Sequence, residues 1–148
     1  MFIKEFKLNI LNGIRVLDFG RYIAGPYCAA LLGDLGAEVI RVERIDGSED
    51  RYIHPIGNPN GEGAMFMQMN RNKKGLTLNP TKDGSQEIVK KLIESADVVV
   101  ANLPPQTLKR MGIDYETIKK YNDKIILTTV SCLLYTSDAA DEGVGVDL

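Results

Sequence analysis

GIRVLDFGRYIAGPYCAALLGDLGAEVIRVER, residues 13–44, is the stretch on which the fold turns. Its first part, GIRVLDFG, residues 13–20, is a short apolar and β-branched run ending in Asp18 and Gly20, the pattern of a buried parallel strand. Gly25-Pro26 then punctuates the chain. Proline in a first helical turn predicts a helix from Pro26 through YCAALLGDLG, with Gly36 as its stop. AEVIRVER, residues 37–44, sets Val39, Ile40 and Val42 among charges and supplies a second strand. Strand, turn, helix and strand together make a βαβ unit.

Outward from that unit the same grammar continues. Asp46 to Gly63 is rich in Gly, Asn, Pro and Asp without a period, which predicts a long excursion rather than a core element, of the length that often carries function. AMFMQMN begins a helix, NRNKKG is a basic turn, and GLTLNP is a third strand with Leu76 and Leu78, closed by Pro80. Thr81 to Ala96 reads as a helix with Ile88, Val89, Leu92 and Ile93 on its apolar face. ADVVVANL is the clearest buried strand. PPQTLKRMG is a short helix opened by proline and closed by Gly112, DYETIKKYN is another capped by Asp114, and KIILTTVS is the last strand. Strands alternating with helices predict an α/β domain with a Rossmann-like, doubly wound, mostly parallel sheet and right-handed crossovers, here truncated.

Composition narrows the classes of function. The 148 residues suffice for one domain, and with 44% apolar and 26% charged residues the chain has the make-up of a soluble globular protein. No apolar run approaches the ~20 residues that span a bilayer. The N-terminus carries Lys4, Glu5 and Lys7 and lacks a signal-peptide pattern, so the expected location is cytoplasmic. Two cysteines, Cys28 and Cys132, give neither a disulfide framework nor a zinc site. A net charge of -2 gives no general attraction to nucleic acid or to a membrane surface, so any anion site must be local.

The grammar breaks after Ser131. Residues 1–131 read as native domain, whereas CLLYTSDAADEGVGVDL, residues 132–148, carries Asp138, Asp141, Glu142 and Asp147 without one base. This tail resembles the translation of a transposase-type sequencing-library adaptor and is expected to be non-native. Without it the remaining portion is slightly basic.

In an open α/β sheet, ligands bind beyond the carboxyl ends of the strands. The first strand ends in DFGRYIAGP, the second in VER and the fourth in VANLPP, so backbone amides before helix starts, together with Arg44, are placed to meet a polyanionic nucleotide. No GxGxxG follows the first strand and there is no P-loop, which weighs against a dinucleotide dehydrogenase. Each candidate also has a plainer reading. Arg41 and Arg44 beside Glu38 and Glu43 fit a solvated charge ladder, RNKK (residues 71–74) a soluble turn, and Lys109-Arg110 a complement to a helix dipole. His54, the sole histidine, lies in the excursion, and Cys28 reads as a small buried thiol rather than a nucleophile.

Three segments in order, LNGIRVLDFGRYIAGPYCAALLGDLGAEVIRVER, MNRNKKGLTLNP and ADVVVANLPPQTLKRMGIDYETIKKYNDKIILTTVS, together resemble the opening of a family III CoA-transferase of the CaiB/BaiF type. The resemblance covers nearly all of residues 11–131. It implies transfer of coenzyme A, the substrate, from an acyl-CoA to a carboxylic acid through covalent intermediates on an aspartate, without metal or redox cofactor. It also implies an interlocked homodimer. A racemase of α-methylacyl-CoA esters from the same family, or a non-catalytic CoA- or nucleotide-binding module, are the alternative activities. Carried over by position, CoA contacts fall on Ile23, Ala24, Arg44, Leu78, Asn102, Leu103, Pro104 and Arg110. The family's catalytic aspartate lies beyond Ser131. Asp147 in GVGVDL imitates its context, and the adaptor reading makes that a coincidence.

Overall fold

The structure, a computed structural model, describes residues 9–56 and 62–130. The expectations for residues 132–148, including Cys132 and Asp147, lie outside the described residues. Among the described residues five strands, β1 (Arg15–Asp18), β2 (Glu38–Glu43), β3 (Lys73–Thr77), β4 (Val98–Ala101) and β5 (Ile126–Thr129), form one parallel sheet in the order β3-β2-β1-β4-β5. Helices connect them: α1 (Ala24–Asp34), α2 (Ala64–Met69), α3 (Ser85–Glu94), α4 (Pro105–Met111) and α5 (Tyr115–Ile118). The doubly wound α/β expectation therefore holds.

Both faces of the sheet are covered, which is why its strands are apolar in continuous runs. On one face Val16, Val39 and Val100 cluster with Ala29 of α1. On the other Leu17, Val99 and Ala101 cluster with Val89 and Ile93 of α3, Leu108 of α4 and Ile118 of α5. Local signals placed the ends. Gly112 closes α4 in the left-handed conformation, and the Asp114 side chain accepts the Thr117 amide at the start of α5. Helix α1 begins two residues ahead of Pro26, whose missing N–H falls in a first turn that needs no amide partner.

Three expectations need correction. Ile88 is 46% exposed, so α3 buries Val89 and Ile93 instead. The third strand starts at Lys73 rather than Gly75, which draws half of the basic turn into the sheet edge. The excursion after β2 does contain core: a 3-10 turn at Glu49–Tyr52 buries Asp50 to 1% exposure, and Ser48 is fully buried.

The reason lies in β2. Its alternation sends Ile40 and Val42 to the α3 face and Arg41 and Glu43 to the α1 face, where they are only 2% and 3% exposed. A buried charge must be paired. Arg41 donates through Nη2 to both carboxylate oxygens of Asp50 at 3.0 Å, and through Nη1 to Asn70 at 2.8 Å. Lys73 Nζ uses all three of its protons, on Asp18 (2.7 Å), the Pro26 carbonyl (2.7 Å) and Asn70 (2.9 Å). Arg51 pairs with Glu43 and lies 4.2 Å over the Phe66 ring. The solvated ladder expected on this strand exists only at its start, where Glu38 meets Arg15 and Lys74.

Burial favours the neutral form of Glu43, but the Arg51 hydrogen bonds and charge, with Arg41 and the Ser48 amide, outweigh it and hold the carboxyl below its ordinary 4.5. A depressed carboxyl contributes stability that is complete above 4.5 and is lost as the pH falls through the folded value. Chemical denaturation at pH 7 and pH 4 should therefore show a fall in stability, and Arg51→Met should make that fall smaller.

Candidate nucleotide cleft

The strand order reverses between β1 and β4, so the chain leaving β1 runs to one face and the chain leaving β4 to the other. A crevice opens at such a switch point. Here it is a cleft of about 240 Å³, with Val42, Leu78, Leu103 and Met111 among its apolar lining and Arg21, Arg44, Arg110, Thr81 and Thr107 supplying polar groups.

The segment after β1 is shaped by close approach. A Cβ on Gly20 would lie 2.7 Å from both Asp18 Oδ1 and Pro26 Cδ, and one on Gly25 would lie 2.9 Å from Asn102 Oδ1. Two glycines thus do the spacing that a GxGxxG does elsewhere. Between them Tyr22 adopts φ 62°, a left-handed conformation that costs a non-glycine residue of order 1 kcal/mol or more. The amides of Gly20, Arg21 and Tyr22 are taken by Asp18 (2.7 Å), Asn102 (2.7 Å) and Asp50 (3.1 Å). These three amides therefore do not face a ligand, contrary to the expectation for the turn after the first strand.

Of the eight positions expected to contact CoA, the cleft brings together Arg44, Leu78, Leu103 and Arg110. Leu78 is held at its base by its own amide, which donates to the Glu43 carbonyl at 2.9 Å and so prolongs the β2–β3 pairing. Arg44 stands exposed just past β2 and pairs with Glu49 at 2.7 Å. Arg110 is exposed in the last turn of α4, so its expected complement to the helix dipole and its place at the cleft coexist. Asn102 lies behind the lining and bonds to the Arg21 backbone. Pro104 caps α4, while Ile23 caps α1 and Ala24 is its first residue, and none of these three lines the cleft.

Arg21 was absent from the expected set. Nothing in RYIAGP marks it, because its place depends on β2: its Nη1 donates to the carbonyls of Phe19 (3.2 Å), Gly20 (2.8 Å) and Val42 (3.4 Å). Burial, and next the charge of Arg41, lower its pKa, partly offset by Asp50, Asp18 and Glu43. Lys73 is likewise lowered, by burial above all, against the opposing pull of Asp18. Cys28 is half-buried beside the α1-face core, and burial with the nearby Asp18 raises its thiol, as suits a packing residue and not a nucleophile. His54 is exposed. Among the described residues there is no cluster of His, Cys, Asp and Glu suited to a metal ion, and no helix long and apolar enough to cross a membrane.

The sequence profile of CoA-transferase family III matches residues 11–148, a span that includes the acidic tail. A succinyl-CoA:mesaconate CoA-transferase of Haloarcula marismortui is 37% identical over 126 residues, covering 83% of this chain and 32% of that protein. A formyl-CoA:oxalate CoA-transferase of Afipia carboxidovorans is 40% identical over 121 residues, covering 81% and 28%. Among solved structures, a CaiB/BaiF family protein from Brucella suis superposes with a TM-score of 0.75 at 34% identity, covering 80% of this chain and 32% of that one. The chain thus spans about a third or less of the length of these relatives.

Proposed function

This chain belongs to CoA-transferase family III, and we propose that the complete protein moves coenzyme A from an acyl-CoA to a carboxylic acid, the cleft described above taking the nucleotide end of CoA. One observation carries the assignment to the cleft. Residues from three separate segments, Arg44, Leu78 with Thr81, and Leu103 with Arg110, meet around a slot that is apolar at its base and cationic at its rim. An adenine ring needs the first and phosphate groups the second.

The chemistry implied by the family runs on an aspartate downstream of the described residues. Its carboxylate attacks the thioester carbonyl, the C–S bond breaks, and a mixed anhydride and CoA thiolate result. The thiolate then attacks the aspartyl carbonyl, releasing the donor acid and leaving an enzyme thioester. The acceptor carboxylate next attacks that thioester, expelling the thiolate, which finally takes the acceptor acyl group and frees the aspartate. The thiolate must stay in place through each exchange. Anchoring CoA by its far end keeps the sulfur at high effective concentration without crowding the reacting carbonyl.

The same reading includes an interlocked homodimer. Its support here is an apolar stripe along α1, Ile23, Tyr27, Leu31 and Leu35, each 36–53% exposed. The adaptor reading of residues 132–148 rests on the likeness of CLLYTSDAADEGVGVDL to a translated library adaptor, and sequencing the source gene across the Ser131 codon tests it. A frame running on into new sequence upholds it, and CLLYTSDAADEGVGVDL in the genome overturns it.

Calorimetric titration of the complete protein tests the cleft. Losing a charge-assisted hydrogen bond costs about 1.5–3 kcal/mol, so Arg44→Ala and Arg110→Ala should each weaken CoA binding roughly ten- to a hundredfold and leave pantetheine binding unchanged. CoA affinity untouched by both would rule the cleft out.

A further inference from the structure

Arg21 and Asn102 are 81 positions apart, yet the Asn102 side chain holds both backbone groups of Arg21: Oδ1 accepts its N–H at 2.7 Å and Nδ2 donates to its C=O at 2.8 Å. This clamp spans the crevice where the chains leaving β1 and β4 part. It fits because Gly25 has no side chain to displace Asn102. The next residue, Tyr22, is held left-handed by the buried Asp50. A backbone pinned at Arg21 and again at Tyr22 fixes the direction in which the Arg21 side chain leaves the chain. The Arg21 guanidinium accordingly lies along the cleft wall, with Nη1 making its bonds to the strand-end carbonyls. Among the described residues Arg21 forms no ion pair within 4.0 Å, in contrast to Arg41, Arg44, Arg51 and Arg71. No bond is made by its Nε or Nη2 among the described residues.

Resting on the CoA reading above, we propose that Arg21 is a further binding residue for the anionic part of the substrate and that Asn102 is a positioning residue acting through it. Asn102, carried over by position as a CoA contact, then works through its side chain on the protein itself. An arginine pre-set by its backbone loses less freedom when an anion arrives than one that must be ordered by the ligand.

A double-mutant cycle on the complete protein separates this from a merely structural role. Arg21→Gln should raise KM for the acyl-CoA about tenfold with kcat within twofold. Asn102→Ala should raise it about fivefold with the same kcat. The double variant should be no worse than about twice the Arg21→Gln value, because Asn102 has nothing left to aim. KM effects that multiply to about fiftyfold, or an Asn102→Ala variant that lowers kcat with KM unchanged, would overturn the proposal. If Asn102→Ala does not fold, Asn102→Ser keeps a small polar side chain, too short to hold both Arg21 backbone groups, and adds no charge. A KM rise of threefold or more with kcat unchanged then supports the proposal, and an unchanged KM overturns it. Titrating the wild-type protein with CoA separates the two levels of inference. No binding sinks the CoA reading itself, whereas binding without Arg21–Asn102 coupling sinks only this proposal.

Discussion

Asp50→Ala should destabilise the complete protein by about 3–5 kcal/mol in chemical denaturation, the cost of removing one partner from a buried ion pair. Both side chains of the Arg41–Asp50 pair are nearly sealed, at 3% and 1% exposure, and among the described residues the two Nη2 bonds at 3.0 Å are the only ones Arg41 makes to a carboxylate within hydrogen-bond distance. Asp18 and Glu43 stand at 4.0 and 3.9 Å from the guanidinium and cannot replace them. The guanidinium would be left buried with the Asn70 bond as its one strong contact. The double variant Arg41→Met/Asp50→Leu removes the stranded charge and should recover at least half of the loss, since well-packed apolar replacements of a buried pair are often neutral or better. An Asp50→Ala loss below 1 kcal/mol would mean that water reaches Arg41 and that the excursion after β2 is not locked to the sheet. Because Asp50 also accepts the Tyr22 amide, the double variant should remain weakened in CoA binding even where stability returns.

Lys73→Met should cost a similar ~3–5 kcal/mol, for the mirror-image reason. Asp18 is fully buried at the end of β1, and its contacts are the Gly20 amide at 2.7 Å, Lys73 Nζ at 2.7 Å and, at 4.0 Å, Arg41. Methionine fills the space of the lysine stem and leaves a carboxylate with one amide hydrogen bond. The companion variant Asp18→Asn/Lys73→Met keeps an acceptor for the Gly20 amide without the charge and should restore most of the stability. Equal losses in the single and double variants would show that packing around the stem, and not the charge on Asp18, sets the cost. Lys73 also binds the Pro26 carbonyl, so the single variant should loosen the start of α1, seen as faster amide exchange there.

Much of this architecture is legible in the chain because hydropathy and turn chemistry are local. VLDF and VVVA are apolar runs bounded by turns, and such runs state a buried strand whatever surrounds them. Gly112 and Asp114 mark helix ends through bonds made within four residues. The same locality explains where the reading fell short. VIRVE looks like a strand with one wet face, and it is Asp50 and Asn70 for Arg41, and Arg51 for Glu43, all brought in from beyond the strand, that make its charges tolerable inside. Lys73 in NRNKKG is a soluble turn by composition and a buried counter-ion by register, since pairing opposite Val39 sets it at the edge of the α1 face.

The site divides in the same way. Leu78, Leu103 and Arg110 came only through the family resemblance, and Arg44 also through its place at the end of the second strand; the cleft brings the four together. Arg21 and the clamping role of Asn102 came through neither, because they exist only where two loops that leave the sheet in opposite directions face one another across the crevice. By itself, then, the sequence determined the βαβ order, the parallel sheet and most of the strand ends on which a ligand site stands, because those follow from periodicities a few residues long. The tertiary structure alone decided which charges are buried, which amides are already spent and which arginine faces the cleft. Most of those are settled by partners 8 to 81 residues away, and a buried charge or a bound amide is defined by its partner.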